Sequence, residues 1–155
     1  MQEALSTLFR RDLTRLYQEI EAYPSEEAVW VVADGISNSA GNLALHLVGN
    51  LRAYVGATLG NINYLRDREA EFSRKDVPRR TLLDQIADTR SVVETTIRAL
   101  TNEQLQASYP ADVLGFPMTT AFFLIHLHGH LNYHLGQVDY HRRLLTGGKR
   151  VEFVP

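Results

Sequence analysis

The sequence predicts an all-α fold, a four-helix bundle, and three observations carry that reading. Apolar residues recur at three- and four-residue spacing through four segments, each several helical turns long. Almost nowhere do apolar and polar residues alternate as they do in a half-buried strand. Turn-rich or charged connections separate the segments, and an all-helical chain of this kind buries its apolar stripes helix against helix. Two of those connections, residues 23–37 and 60–80, are long, so the order of helices around the bundle need not be a simple up-down-up-down one. The 155 residues suit one domain spanning 1–155.

The first helix rests on Leu5, Leu8, Phe9, Leu13, Leu16, Tyr17 and Ile20, with Arg10, Arg11, Asp12 and Glu19 mostly between them; it ends near Tyr23-Pro24. In the connection that follows, AVWVVAD reads as a short extended piece and Asp34-Gly35 as a turn. Ser37, Asn38 and Ser39 are N-cap candidates for a second helix, which runs through Leu43, Leu47, Leu51, Tyr54 and Val55 to about Gly60. Glycines 41, 49 and 56 lie inside it, and each costs about 1 kcal/mol relative to alanine, so close packing of helices is expected there. Residues 61–80 read as a charged loop with one helical turn.

Thr81 to Leu100 forms the third helix, with Leu82, Leu83, Ile86, Val93, Ile97 and Leu100 as its stripe and Asp84 placed to suit the helix dipole. TNEQL supplies a further short turn, and SYPADVLGFP a connection with two prolines. The fourth helix starts at a Thr119-Thr120 cap and runs to Thr146, where Gly147-Gly148 stops it; the tail VEFVP follows.

Composition removes several function classes. Sixteen basic and 18 acidic residues leave a net charge of −2, which gives no electrostatic case for nucleic acid or an anionic membrane. Cysteine is absent, so disulfides, thiolate metal sites and cysteine nucleophiles are excluded, and a metal would need histidine, carboxylate or water. The N-terminus MQEALSTLFRRDL is interrupted by charge, unlike a signal core, and no apolar run approaches a membrane span, so the expected location is cytoplasmic.

Histidine carries the chemistry. Five of the six histidines fall in HLHGHLNYHLGQVDYHRR, residues 126–143; the sixth, His46, stands alone in GNLALHLVGN. On a helix His126, His130 and His134 step down one side, His128 points to the opposite side, and His141 returns to the first. Two histidines four residues apart can grip one ion, because successive turns present their rings in the same direction. A straight helix cannot bring a third consecutive turn onto the same ion, so the third ligand has to come from another element. His46 is the natural partner, giving His46, His130 and His134, a set that leaves room for water as in catalytic zinc sites. Asn42 and Asn50, one turn to either side of His46, together with His126 and Gln137, are candidates to orient the ligands or line the site. Histidines on a helix also occur as plain surface residues or as core residues with ordinary hydrogen bonds; His128 and His141 are expected at the surface or in an interface.

HLNYHLGQV resembles the fourth-helix signature of the DinB/YfiT-like superfamily, in which two histidines separated by three residues are followed by a variable residue, Gly and Gln. GISNSAGNLALHLVGNLRAYV resembles its second helix, and RDREAEFSRK the charged segment that follows that helix in one branch. The resemblance covers Gly35 to about Leu145. It implies a bundle with a long crossover, often a homodimer, holding a divalent ion, commonly zinc or nickel, on residues that map to His46, His130 and His134. Family members with an assigned activity include transferases that use a low-molecular-weight thiol such as bacillithiol or mycothiol, and an isomerase, while many have no assigned reaction; for this chain the resemblance implies thiol transfer to a small electrophile. The family signature often has a histidine directly before the second ligand and a basic residue after it; Tyr133 and Leu135 stand there, which removes the substrate contacts such residues would make.

Three functions follow for test. The chain is a metal-dependent enzyme acting on a small molecule, by thiol transfer with the thiol as cosubstrate or by hydrolysis; or a non-catalytic metal-binding or ligand-sensing bundle; or a metal-free helical dimer. No catalytic base stands out beyond His126 and Tyr133. Metal binding ranks first.

Overall fold

The computed structural model describes residues 1–152, so the last three residues of the VEFVP tail lie outside the described residues. Among the described residues the architecture is helical, with only an isolated bridge between Ser108 and Thr119. The long helices are α1 (Gln2–Glu21), α2 (Ala40–Leu51), α5 (Arg79–Ala99) and α7 (Thr120–Thr146). Shorter pieces are α3 (Thr58–Gly60), α4 (Arg68–Ser73) and α6 (Asn102–Gln106). Among the described residues no helix is long and apolar enough to cross a membrane.

Around the bundle, α1 packs on α5 and α7, and α2 packs on the same two. The sequence neighbours α1 and α2 therefore lie across a diagonal, as do α5 and α7. A diagonal step has to pass over the end of the bundle, which is why the connections 22–39 and 100–119 are long. The equally long 61–78 joins adjacent helices instead, and spends its length on α4, which folds back onto α2.

The amphipathic pattern settles the interior. Leu5, Phe9, Leu13, Leu16 and Ile20 of α1 meet Leu82, Leu83, Ile86, Val93 and Ile97 of α5, together with Phe123, Leu124, Leu127, Leu131 and Val138 of α7. Every residue of α2 is buried, because α4 covers the side that α5 and α7 leave open. That burial gives meaning to its three polar members, Asn42, His46 and Asn50, spaced four apart and so aligned in one stripe of an apolar helix.

The expected caps are in place. Ser39 accepts a hydrogen bond from Asn42 N and Thr119 from Phe122 N, and Gly147 ends α7 with φ of 64°. The helix run expected to reach Gly60 does so, but through a π-helical stretch, Arg52–Ala57, and a left-handed Asn61 closes it.

Two expectations need correction. AVWVVAD is not extended: Glu27–Trp30 forms a 3-10 turn that buries Val29 and Trp30 while Val31 and Val32 stay exposed, and no neighbouring strand offers it hydrogen bonds. The glycines of α2 chiefly admit side chains rather than helix backbones. A Cβ on Gly41 would lie 2.6 Å from the Trp30 ring, one on Gly56 would lie 2.6 Å from Ile62, and one on Gly49 would strike the Glu71 carboxylate.

Candidate metal centre

His46 comes from the middle of α2, and His130 and His134 from successive turns of α7; the packing of α2 on α7 joins them. The Nε2 atoms of His46 and His134 each lie 3.2 Å from Nε2 of His130, and the three rings offer ligand atoms all within 4.8 Å of one another. A tetrahedral ion with bonds of about 2.05 Å would hold its nitrogens about 3.3 Å apart, so this spacing fits one ion.

The outer nitrogens fix which way the rings face. His46 Nδ1 lies 2.9 Å from Glu71 Oε2 and donates its proton there, and His134 Nδ1 lies 2.7 Å from Gln137 Oε1 and donates to it. With Nδ1 protonated, both Nε2 atoms present lone pairs to the interior of the cluster, the arrangement a metal-ligating histidine needs. Burial, followed by the charges of His134, His46, His126 and Arg66, pushes the His130 pKa down to about 4. Burial also lowers that of His134, and His46 adds to the effect, against the hydrogen bond to Gln137. Both rings are therefore neutral at pH 7 and free to ligate. Three imidazole nitrogens gathered at this spacing form a cluster compatible with a divalent cation.

Glu71 is the group the sequence did not single out. Burial favours its neutral form, but hydrogen bonds from Arg66 and His46 outweigh that and hold its pKa below the ordinary value. Arg66 grips it with two bonds, Nε to Oε1 at 2.7 Å and Nη2 to Oε2 at 2.8 Å. The carboxylate reaches His46 only because Gly49, three residues further along α2, has no side chain. Asn42 acts from further back: its Nδ2 donates to Glu71 O at 3.0 Å and to Arg74 O at 2.8 Å, tying α4 to α2. The charged segment RDREAEFSRK supplies Arg66, Arg68 and Glu71; a lone buried glycine beside a polar stripe was the available clue that a side chain from that segment enters there.

The remaining candidates sort by geometry. Gln137 orients His134, as expected. Asn50 is buried with Oδ1 unpartnered and lines a cleft beside the cluster, and His126 is exposed on the same cleft, its ring stacked on Phe123. Of the weak catalytic candidates, Tyr133 is largely exposed and packs edge-on against His134. His128 and His141, expected at the surface or in an interface, both turn to partners within the chain, His128 half-buried and His141 buried. His128 Nε2 lies 2.8 Å from the buried Asp12 Oδ2, with the Phe9 ring beside it; His141 is buried, with Nδ1 2.6 Å from the Tyr23 hydroxyl and Nε2 2.9 Å from Val31 O. Both partners are polar groups of α1 and its following connection, which helical spacing along α7 cannot reveal.

Residues 8–138 match the family model of the DinB superfamily. The chain belongs to the DinB superfamily. Among solved structures, a DinB-like protein from Bacillus cereus shares the fold with a TM-score of 0.75 and 17% identity, covering 98% of this chain and 97% of that one. No curated protein matches the sequence. Membership in the DinB superfamily, with a histidine cluster compatible with a divalent ion, agrees with the resemblance read from HLNYHLGQV and GNLALHLVGN.

Two hollows flank the cluster in this DinB superfamily chain. One, of about 200 Å³, meets His46 and His130 and is lined by Asn50, Tyr54, Arg66, Arg68 and His126. The other, of about 550 Å³, meets His134 and Gln137 and is walled by Ile36, Leu43, Tyr133, Tyr140 and Leu144.

Proposed function

We propose that this protein is a metal-dependent enzyme acting on a small molecule, with His46, His130 and His134 as ligands of a divalent ion, zinc or nickel. The supporting observation is the pair of hollows: the cluster is reached from both sides, and a purely structural site would be closed. When bound, the ion supplies Lewis-acid chemistry that lowers the pKa of a water or thiol beside it. Glu71 and Gln137 hold the rings of His46 and His134 in register, and Arg66 keeps Glu71 ionised. Transfer of a low-molecular-weight thiol to a small electrophile is the reaction proposed first; because the chain has no cysteine, the thiol arrives as a cosubstrate. Metal-assisted hydrolysis is the second. The site of action is taken to be the cytoplasm, and the active form a homodimer.

Zinc and nickel titrations of the metal-free chain, followed by calorimetry, test the ligand set. His130→Ala is expected to abolish tight binding; unchanged affinity would show that the histidines are not ligands. A panel of thiols with electrophiles, and of hydrolysable esters and amides, then tests turnover. A metal-loaded chain inactive across that panel would be a binding or sensing bundle instead.

A further inference from the structure

The outward side of α7 differs from that of its neighbours. α1 exposes Glu3, Arg10 and Glu21, and α5 exposes Arg80, Asp84, Asp88 and Arg98. Along α7 no exposed residue is Asp, Glu, Lys or Arg; its charged residues Asp139, Arg142 and Arg143 are half-buried or buried and pair with one another or with Glu19. In their place stand Phe122, Ile125, Tyr133, Tyr140 and Leu144, between 49 and 80% exposed. With Gly129 and Gly136 they recur every three or four residues, one stripe roughly 33 Å long. Those five side chains leave on the order of 600 Å² open, the upper end of the roughly 300–600 Å² patch usual on a monomer. Adding His126, Gln137, Leu145 and the glycines between them brings the face towards the about 800 Å² per partner of a stable interface. A Cβ on Gly129 or Gly136 would meet nothing within 4 Å, so the middle of the stripe is a notch that another helix can approach closely.

Charge and shape choose the occupant. The face offers no lysine or arginine to a nucleic acid or an anionic bilayer. A second copy presents the same uncharged stripe, and the stripe complements itself when reversed. About a twofold axis near Tyr133, Gly129 lies opposite the partner's Gly136, Ile125 opposite the partner's Tyr140, and Phe122 opposite the partner's Leu144. Antiparallel pairing also sets the two helix dipoles in opposition, which parallel pairing does not. Resting on the homodimer of the reading above, we infer that two copies join through this stripe, α7 antiparallel on α7, and that each supplies a wall to the other's metal site. The hollow on the His134 side is edged by Tyr133, Tyr140 and Leu144, which are half of the stripe. The partner's Phe122 and Ile125 lie over that half. An open groove of about 550 Å³ leading to His134 and Gln137 thereby becomes a pocket shared between copies, and the single chain lacks its outer wall.

Sedimentation equilibrium of the full chain at micromolar concentration is expected to give twice the chain mass. Ile125→Glu and Gly136→Glu are each expected to weaken the dimer at least about a hundredfold, because the twofold axis buries two unpaired carboxylates at once. Ile125 is 54% exposed, a side chain at Gly136 enters open space, and glutamate forms helix better than glycine, so circular dichroism is expected to show both variants folded. Disulfide trapping reads the direction and stands even where a glutamate variant folds poorly. The chain has no cysteine, so Gly129→Cys mixed with Gly136→Cys is expected to cross-link on oxidation, while neither variant cross-links with itself. Folded glutamate variants that remain dimeric, or a cysteine variant that links only to itself, overturn this inference and leave a homodimer built another way. A wild-type chain that stays monomeric overturns both the inference and the homodimer; if it then sediments with neutral phosphatidylcholine vesicles, the stripe belongs to a lipid surface. The ligand set is decided separately, by the zinc titration.

Discussion

Replacing Gly49 with alanine separates the role assigned to Glu71 from ordinary helix chemistry. In a helix interior the change normally stabilises by about 1 kcal/mol, because alanine loses less backbone entropy than glycine. Here the new Cβ would strike Glu71 Oε1 and lie 2.7 Å from Cδ and 3.2 Å from Cγ. The end of a long side chain usually swings away at little cost, but this one is held by two bonds from Arg66 and one from His46 Nδ1. Moving it breaks at least one charge-assisted bond among buried groups, a loss of about 1.5–3 kcal/mol. Net of the helix gain, Gly49→Ala is expected to destabilise by about 0.5–2 kcal/mol, a fall of roughly 1–8 °C in melting temperature for a chain of this size. Zinc affinity is expected to fall about 10- to 100-fold, as when the group behind a ligand histidine is lost. Urea unfolding of the metal-free protein and zinc titration read the two effects separately. In a Glu71→Ala background the obstacle is gone, and the same substitution is expected to recover its ordinary gain of about 1 kcal/mol. If Gly49→Ala alone stabilises the protein and leaves zinc affinity unchanged, Glu71 does not orient His46.

Other expectations follow from the same contacts. Gln137→Leu removes the acceptor for His134 Nδ1 and is expected to weaken zinc binding about tenfold with little change in metal-free stability, measured by the same titration. Burial favours neutral Asp12, but hydrogen bonds from His128, Arg11 and Asn132 outweigh it and hold its carboxyl well below the usual range. The stability it contributes is therefore complete above its unfolded pKa of about 3.9 and is lost as pH falls below that. The difference in urea midpoint between the wild type and Asp12→Asn is expected to hold steady from pH 7 to 5 and to shrink below pH 4; a constant difference down to pH 2.5 would refute it. Tyr23→Phe removes the hydroxyl bonded to His141 Nδ1 and is expected to cost about 1–3 kcal/mol by chemical denaturation, with zinc affinity unchanged.

The helices were legible because burial writes a period into sequence: Leu5, Phe9, Leu13 and Leu16, or Leu127, Leu131 and Val138, have to share a face before any partner is known. Ser39, Thr119 and Gly147 were legible for an equally local reason, since the free backbone groups of a helix end are satisfied within a few residues. The pairing of His130 with His134 lies on one helix and needs only its pitch. AVWVVAD was misread because a strand is defined by a neighbour, and this segment has none. The inward turn of His128 and His141 was not legible, because Asp12 and Tyr23, more than a hundred residues away in sequence, cause it.

By itself, then, the sequence determined the helices, their ends, and one ion-gripping turn of α7 with His46 as the partner to look for. Only the tertiary structure decided what surrounds that turn. The diagonal path from α1 to α2 and the return of α4 onto α2 bring Glu71 through the gap at Gly49 and set Arg66 and Arg68 at the cleft. Periodicity records which face of a helix is buried; it does not record which charged side chain, from which connection, comes to meet it.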